Sequence, residues 1–209
     1  MTRIIDISPL IDASIKVWPG DTPFQSVRNT DIAAGSNITL SEIRTTVHVG
    51  AHADAPNHYL AGGEDIASRK LDDYVGRCTV VDVKSAGPRR IVPKDFAGKR
   101  IDTPRVLFRT GTFPDPRRWN NDFASLSPEA VDDLHARGVI LIGIDTPSVD
   151  PFESKELEAH HALARHDMAN LEGLVLEDVP EGEYELIALP LRLDGADASP
   201  VRAVLRTLD

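Results

Sequence analysis

Short β-branched runs recur along this chain: RIIDIS, TLSEIRTTV, CTVVDV, RVLFRT, VILIGID, YELIALPLRL and PVRAVLRTL. Val, Ile, Leu and Thr at this density suit a pleated, partly or fully buried backbone. Helical patterns are fewer. SPEAVDDLHARG offers Ser127 as N-cap, Pro128 at the first helical position and Gly138 as the stop, with Val131 and Leu134 as an apolar stripe. It leads directly into VILIGID, a helix-to-strand unit of α/β folds. The second helical run is SKELEAHHALARHD, with Leu157, Ala162 and Leu163 on one side. Strands dominate, so the expectation is an α/β fold built on a mixed sheet with a few flanking helices, not a doubly wound parallel sheet. The 209 residues show no repeat, linker or low-complexity tract, and residues 1–209 read as one domain.

Composition removes several functional classes. A formal net charge of −10 argues against nucleic acid, which is bound by clustered Lys and Arg. The single cysteine, Cys78, lies inside CTVVDV, so an intramolecular disulfide is impossible, and a buried strand thiol is inert as a nucleophile. MTRIIDISPLID lacks the apolar core of a signal peptide, and no run approaches the ~18 apolar residues of a membrane span. A cytoplasmic location is expected.

The chemistry concentrates in HVGAHADAPNHY, residues 48 to 59, which holds three of the seven histidines. His48 and His52 stand at i and i+4, Asp54 follows two residues later and His58 four beyond. This is not the helical HExxH zinc motif, because residue 49 is Val. Gly50, Pro56 and Asn57 oppose a helix, and a tight loop at a strand end is expected, its small residues letting the backbone fold close around an ion. Imidazole and carboxylate together suit zinc, manganese or similar ions. Further candidates lie in the second half: His160, His161, His166 and Glu172. His160 and His161 would point about 100° apart on a helix and so serve different surroundings, but spacing alone does not choose between them. His135, beside Arg137 near a helix C-terminus, reads as a surface histidine favoured by the dipole. Asp145 and Asp150 flank TPSV and read as turn caps. Trp18, in VWPGDTP, is equally readable as core or as a stacking surface.

HVGAHADAPNHY resembles the HxGxHxDxPxH signature of the cyclase-like metal-dependent hydrolases. VWPGDTPF, LIGIDTPSVDPFESKELEAHHAL and LEGLVLEDVPEGEYELIALPLRLDGADASPVRAVLR narrow the likeness to the bacterial kynurenine formamidase (arylformamidase) branch over nearly the whole chain, weakest at about residues 84–104. The resemblance implies a swivelling β/β/α fold with a barrel-like core, a homodimer and two zinc ions per subunit. It implies metal ligands at His48, His52, Asp54, His160 and Glu172, a proton shuttle at His58 and a substrate-contacting aromatic at Trp18. If Asp54 and Glu172 both bridge, these five residues supply most of the roughly eight bonds that two tetrahedral ions take, without calling on His58. The implied activity is hydrolysis of N-formyl-L-kynurenine to L-kynurenine and formate. Isatin or another cyclic amide is the alternative substrate, and a non-catalytic metal-binding protein the alternative of another class.

Overall fold

The computed structural model describes residues 2–208. Along the chain run β1 (Ile4–Asp6), β2 (Gln25–Thr30), β3 (Leu40–Arg44), β4 (His52–Asp54), β5 (Val75–Asp82), β6 (Arg90–Ile91), β7 (Arg105–Arg109), β8 (Ser125–Leu126), α1 (Pro128–Ala136), β9 (Leu141–Ile144), α2 (Glu158–Arg165), β10 (Ala169–Glu172), β11 (Gly182–Ile187), β12 (Ala198–Pro200) and β13 (Val204–Thr207). Nine strands form one sheet in the order β1-β13-β11-β5-β7-β9-β10-β4-β12. Its centre, β5-β7-β9-β10, is parallel, and both flanks are antiparallel. This is the mixed α/β architecture expected from the sequence.

The parallel strands are buried on both faces, which is why CTVVDV, RVLFRT and VILIGID read as nearly continuous apolar runs. One face of these strands joins a core containing Ala53 of β4, Leu186 of β11 and Leu205 of β13, residues from opposite flanks of the sheet. Their meeting requires the sheet to curl into a half-barrel. The other face carries Val81, Phe108 and Ile142 against Leu134 of α1 and Leu163 of α2. Helix α1 starts as its sequence dictates, with Ser127 Oγ accepting the Ala130 N–H at 3.2 Å and Pro128 following.

Four departures have physical causes. TLSEIRTTV supplies β3, but β3 pairs only with β2 in a separate two-stranded sheet and is exposed along its length. Helix α2 begins at Glu158, not Ser154, because Leu157 takes the left-handed conformation (φ 46°) and its N–H is held by Ser154 Oγ. Strand β11 stops at Ile187, and Pro190, which has no N–H for a ladder, lies just beyond. Finally, His52–Asp54 is not a loop but a fully buried strand. Its alternation is hidden: Ala51, Ala53 and Ala55 face the core, while on the opposite face His52 lines a cavity and Asp54 is buried beside it instead of meeting solvent. Strand β10 (ANLE) conceals itself in the same way, with Ala169 and Leu171 in the core and Asn170 and Glu172 on the cavity side.

Candidate metal centre

Strand periodicity assembles the site. His52 and Asp54 are two apart on β4 and share one face. Glu172 lies directly across from His52 in the antiparallel β4–β10 register. Helix α2 delivers His160, which is buried, while its neighbour His161 is exposed. His48 comes from the turn before β4, its Nδ1 3.1 Å from Asp54 Oδ1. His52 Nε2 lies 3.4 Å from both Asp54 Oδ1 and Glu172 Oε2. His160 Nε2 lies 3.4 Å from both Asp54 Oδ2 and Glu172 Oε1. The structure thus brings together His48, His52, Asp54, His160 and Glu172. His58 stands at the rim beside them, its ring 4.3 Å from that of His48. His135 and His166 stack on each other at 4.0 Å on the α1–α2 surface, away from the cluster.

The donor set fits a divalent cation. His52 Nε2, Asp54 Oδ1 and His160 Nε2 are buried and have no hydrogen-bond partner among the described residues. Such orphaned atoms are costly unless a ligand takes their lone pairs. Three sets of ligand atoms converge to within 4.8 Å: His48-His52-Asp54 and Asp54-His160-Glu172, which share Asp54, and His48-His58-Asp197 at the rim. The remaining ring nitrogens are held from behind, as in metal-binding histidines. His52 Nδ1–H donates to Gly50 O at 2.9 Å; a carbonyl only accepts, so the lone pair is left on Nε2. His160 Nδ1 is 2.8 Å from Asp150, and His48 Nε2 is 3.0 Å from Asp197. Asn170 Nδ2–H donates to Asp54 Oδ2 at 2.7 Å, and the Val149 N–H to Glu172 Oε1 at 2.8 Å.

The buried histidines and carboxylates of the cluster set one another's protonation. Burial opposes protonation of His48, but Asp197 and Asp54 outweigh it and raise its pKa to about 9. Burial likewise opposes protonation of His52, while Asp54 and Glu172 lift it to about 10. Asp54, although buried, is held well below the usual carboxylate range by His160, His48 and His52.

The cluster floors a cavity of about 360 Å³. Trp18 lines it together with Phe113 and Trp119. The Trp18 ring packs edge-on to Trp119 at 5.3 Å and tilted against Phe152 at 5.0 Å. Trp18 is therefore neither a free surface ring nor core, but part of an aromatic wall. Gly173 permits the close approach of the two cluster-bearing segments: at φ 65°, a Cβ there would lie 2.2 Å from Gly50 O.

Sequence reasoning missed three supports of the cluster: Asp150, Asp197 and Asn170. Asp150 is fully buried and does more than cap a turn, since it accepts the Ala159 and His160 N–H groups, binds His160 Nδ1 and pairs with Arg90 at 3.0 Å. Asp145, the other turn candidate, accepts the N–H groups of Thr110 and Gly111. Asp197, which contacts both His48 and His58, precedes β12 and offered no local signal. Asn170 was legible, two positions before Glu172, once β10 is recognised as a strand.

The family model described as "Putative cyclase" matches residues 5–151. This chain belongs to the cyclase family. A curated relative, the kynurenine formamidase of Bordetella pertussis (strain Tohama I), is 48% identical over 209 residues, covering 100% of both chains. A solved structure described as a "potential metal-dependent hydrolase with cyclase activity" superposes with a TM-score of 0.86 at 28% identity, covering 100% of both chains. Isatin hydrolase A from Labrenzia aggregata, bound to benzyl benzoate, gives 0.82 at 22% identity over 100% of this chain and 94% of its own, a likeness of fold alone. The cyclase family match ends before α2, so His160, Glu172 and Asp197 lie in the part covered by the full-length relatives.

Proposed function

We propose that this chain is an arylformamidase that hydrolyses N-formyl-L-kynurenine to L-kynurenine and formate in tryptophan degradation. The observation that carries the reading is the 48% identity to a kynurenine formamidase across the whole of both chains. His48, His52 and Asp54 would hold one ion, and Asp54, His160 and Glu172 a second. Two zinc ions suit this imidazole–carboxylate set, and manganese fits the same donors. When bound, the ions supply Lewis acidity to the formyl carbonyl and to the attacking water.

The chain's own groups do the rest. His58 Nδ1 rests 3.2 Å from Asp197, which leaves Nε2 as the nitrogen that moves protons. It takes one from the attacking water and returns it to the aniline nitrogen as the amide bond breaks. A ligand set that closes without His58, and the 33% exposure of its side chain, support a shuttle over a third imidazole ligand. Trp18 stacks on the substrate ring and, with Trp119, keeps water from that side of the cavity. Isatin, the cyclic alternative, presents a carbonyl to the same centre, but the likeness to isatin hydrolases is distant.

A homodimer is the proposed assembly. Val27 and Ile43 on the β2–β3 hairpin are 50% and 67% exposed, and a two-stranded sheet does not sustain itself alone. No helix among the described residues is long and apolar enough to cross a membrane, and a cytoplasmic location is proposed.

The reading is tested by kcat/KM for N-formyl-L-kynurenine and for isatin on one preparation. The open formamide is expected to be preferred by at least tenfold. A preference for isatin replaces the formamidase reading with the cyclic one.

A further inference from the structure

Charged groups lining the cavity fall into two kinds. Most are engaged. His48, His52, His160 and Glu172 belong to the cluster, and Asp145 accepts the N–H groups of Thr110 and Gly111. Glu177 is paired with Lys84 at 3.0 Å. Lys16 and Asp21 also line the cavity, and neither side chain has an ion-pair or hydrogen-bond partner among the described residues. They are of opposite sign and flank Trp18 on one loop, KVWPGD. The loop is fixed rather than free: the Lys16 N–H donates to Pro116 O at 2.9 Å, and the Asp21 N–H donates back to Trp18 O at 2.9 Å. Gly20, at φ 103°, makes the turn that returns Asp21 toward the Trp18 carbonyl.

We infer that Lys16 and Asp21 form a zwitterion clamp at the cavity mouth, Lys16 taking the α-carboxylate and Asp21 the α-ammonium of an amino-acid tail whose aryl amide faces the metal centre. The inference rests on the arylformamidase reading and adds the groups that choose the tail. One loop then supplies three adjacent contacts: cation, ring and anion. A ligand carrying both charges on one carbon, attached to an aromatic ring, matches that order. A neutral bicycle such as isatin leaves both charges unanswered. The clamp is equally engaged before and during the reaction, so it lowers KM and leaves kcat alone.

The test is a cycle between enzyme and substrate. Wild type, Lys16→Met and Asp21→Asn are compared on N-formyl-L-kynurenine, on its decarboxylated analogue that keeps the ammonium, and on a tail-less 2-acyl formanilide. Both side chains are exposed, so folding is not at stake. Lys16→Met is expected to raise KM for the full substrate roughly tenfold, the size of one charge-assisted contact at a solvated rim. That penalty should shrink at least threefold on the decarboxylated compound. Asp21→Asn should penalise both ammonium-bearing compounds and shrink in effect on the tail-less one. Equal changes on all three substrates, or none on the full substrate, overturn the clamp while leaving the formamidase reading intact. A wild-type enzyme that hydrolyses none of the three formanilides sinks that reading and the clamp with it.

Discussion

His58 differs from the other histidines of the cluster in exposure. Its side chain is 33% exposed, against 16% for His48 and 3% for His52 and for His160. A proton-moving group needs contact with water and substrate, whereas a ligand needs neither. His58→Ala should therefore keep its metal, measured by elemental analysis, and lose about 10²–10⁴ in kcat. Loss of an ion from that variant would make His58 a ligand. The buried histidines carry a different prediction. In the metal-free protein, His48 and His52 have pKa values raised from 6.5 to about 9 and about 10. Groups raised on folding contribute stability that is complete below pH 6.5 and lost as pH rises through those values. Asp54 and Glu172 are lowered from 3.8 and 4.5, so their contribution is present above those values and lost as pH falls further. The metal-free cluster thus stabilises most between 4.5 and 6.5. Since ligation needs neutral imidazole, zinc binding near pH 7 should release protons. Calorimetry in buffers of different ionisation enthalpy reads this directly, and an enthalpy independent of buffer would refute it.

At the scale of elements, Asp150 joins the N-terminus of α2 to the cluster. It caps the Ala159 and His160 N–H groups and sets the ring of His160 through Nδ1. Asp150→Asn should lower metal affinity roughly 10–100-fold, as removal of such a supporting carboxylate does. It should also cost about 1–3 kcal/mol in unfolding free energy, since Arg90 and the cap lose a buried charge. Unchanged affinity with lowered stability would confine Asp150 to capping. These links explain what the sequence could carry. Apolar runs announced β5, β7 and β9 because both faces of those strands meet protein. Ser127, Pro128 and Gly138 bounded α1 by local chemistry alone. Strands β4 and β10 escaped notice because their polar faces line a cavity, so the alternation that marks a strand looked like a polar turn. TLSEIRTTV does supply a strand, β3, but β-branched residues do not say what they pack against, and β3 is exposed along its length.

For the molecule as a whole, the half-barrel brings residues distant in sequence to one floor. His48, His52 and Asp54 were legible together because they share eleven residues with His58. Only the β4–β10 register and the docking of α2 bring Glu172 and His160 to them, and only the end of the chain adds Asp197. The same fold raises the aromatic wall of Trp18, Phe113 and Trp119 over that floor. The account stands on this floor being a two-ion centre that drives formamide hydrolysis. The most direct measurement strips the protein with a chelator, returns zinc in steps, and follows N-formyl-L-kynurenine hydrolysis against ions bound per chain. Activity should be lost on stripping and rise to its maximum at two ions per chain. Full activity in the stripped protein, or a maximum at one ion, would contradict it.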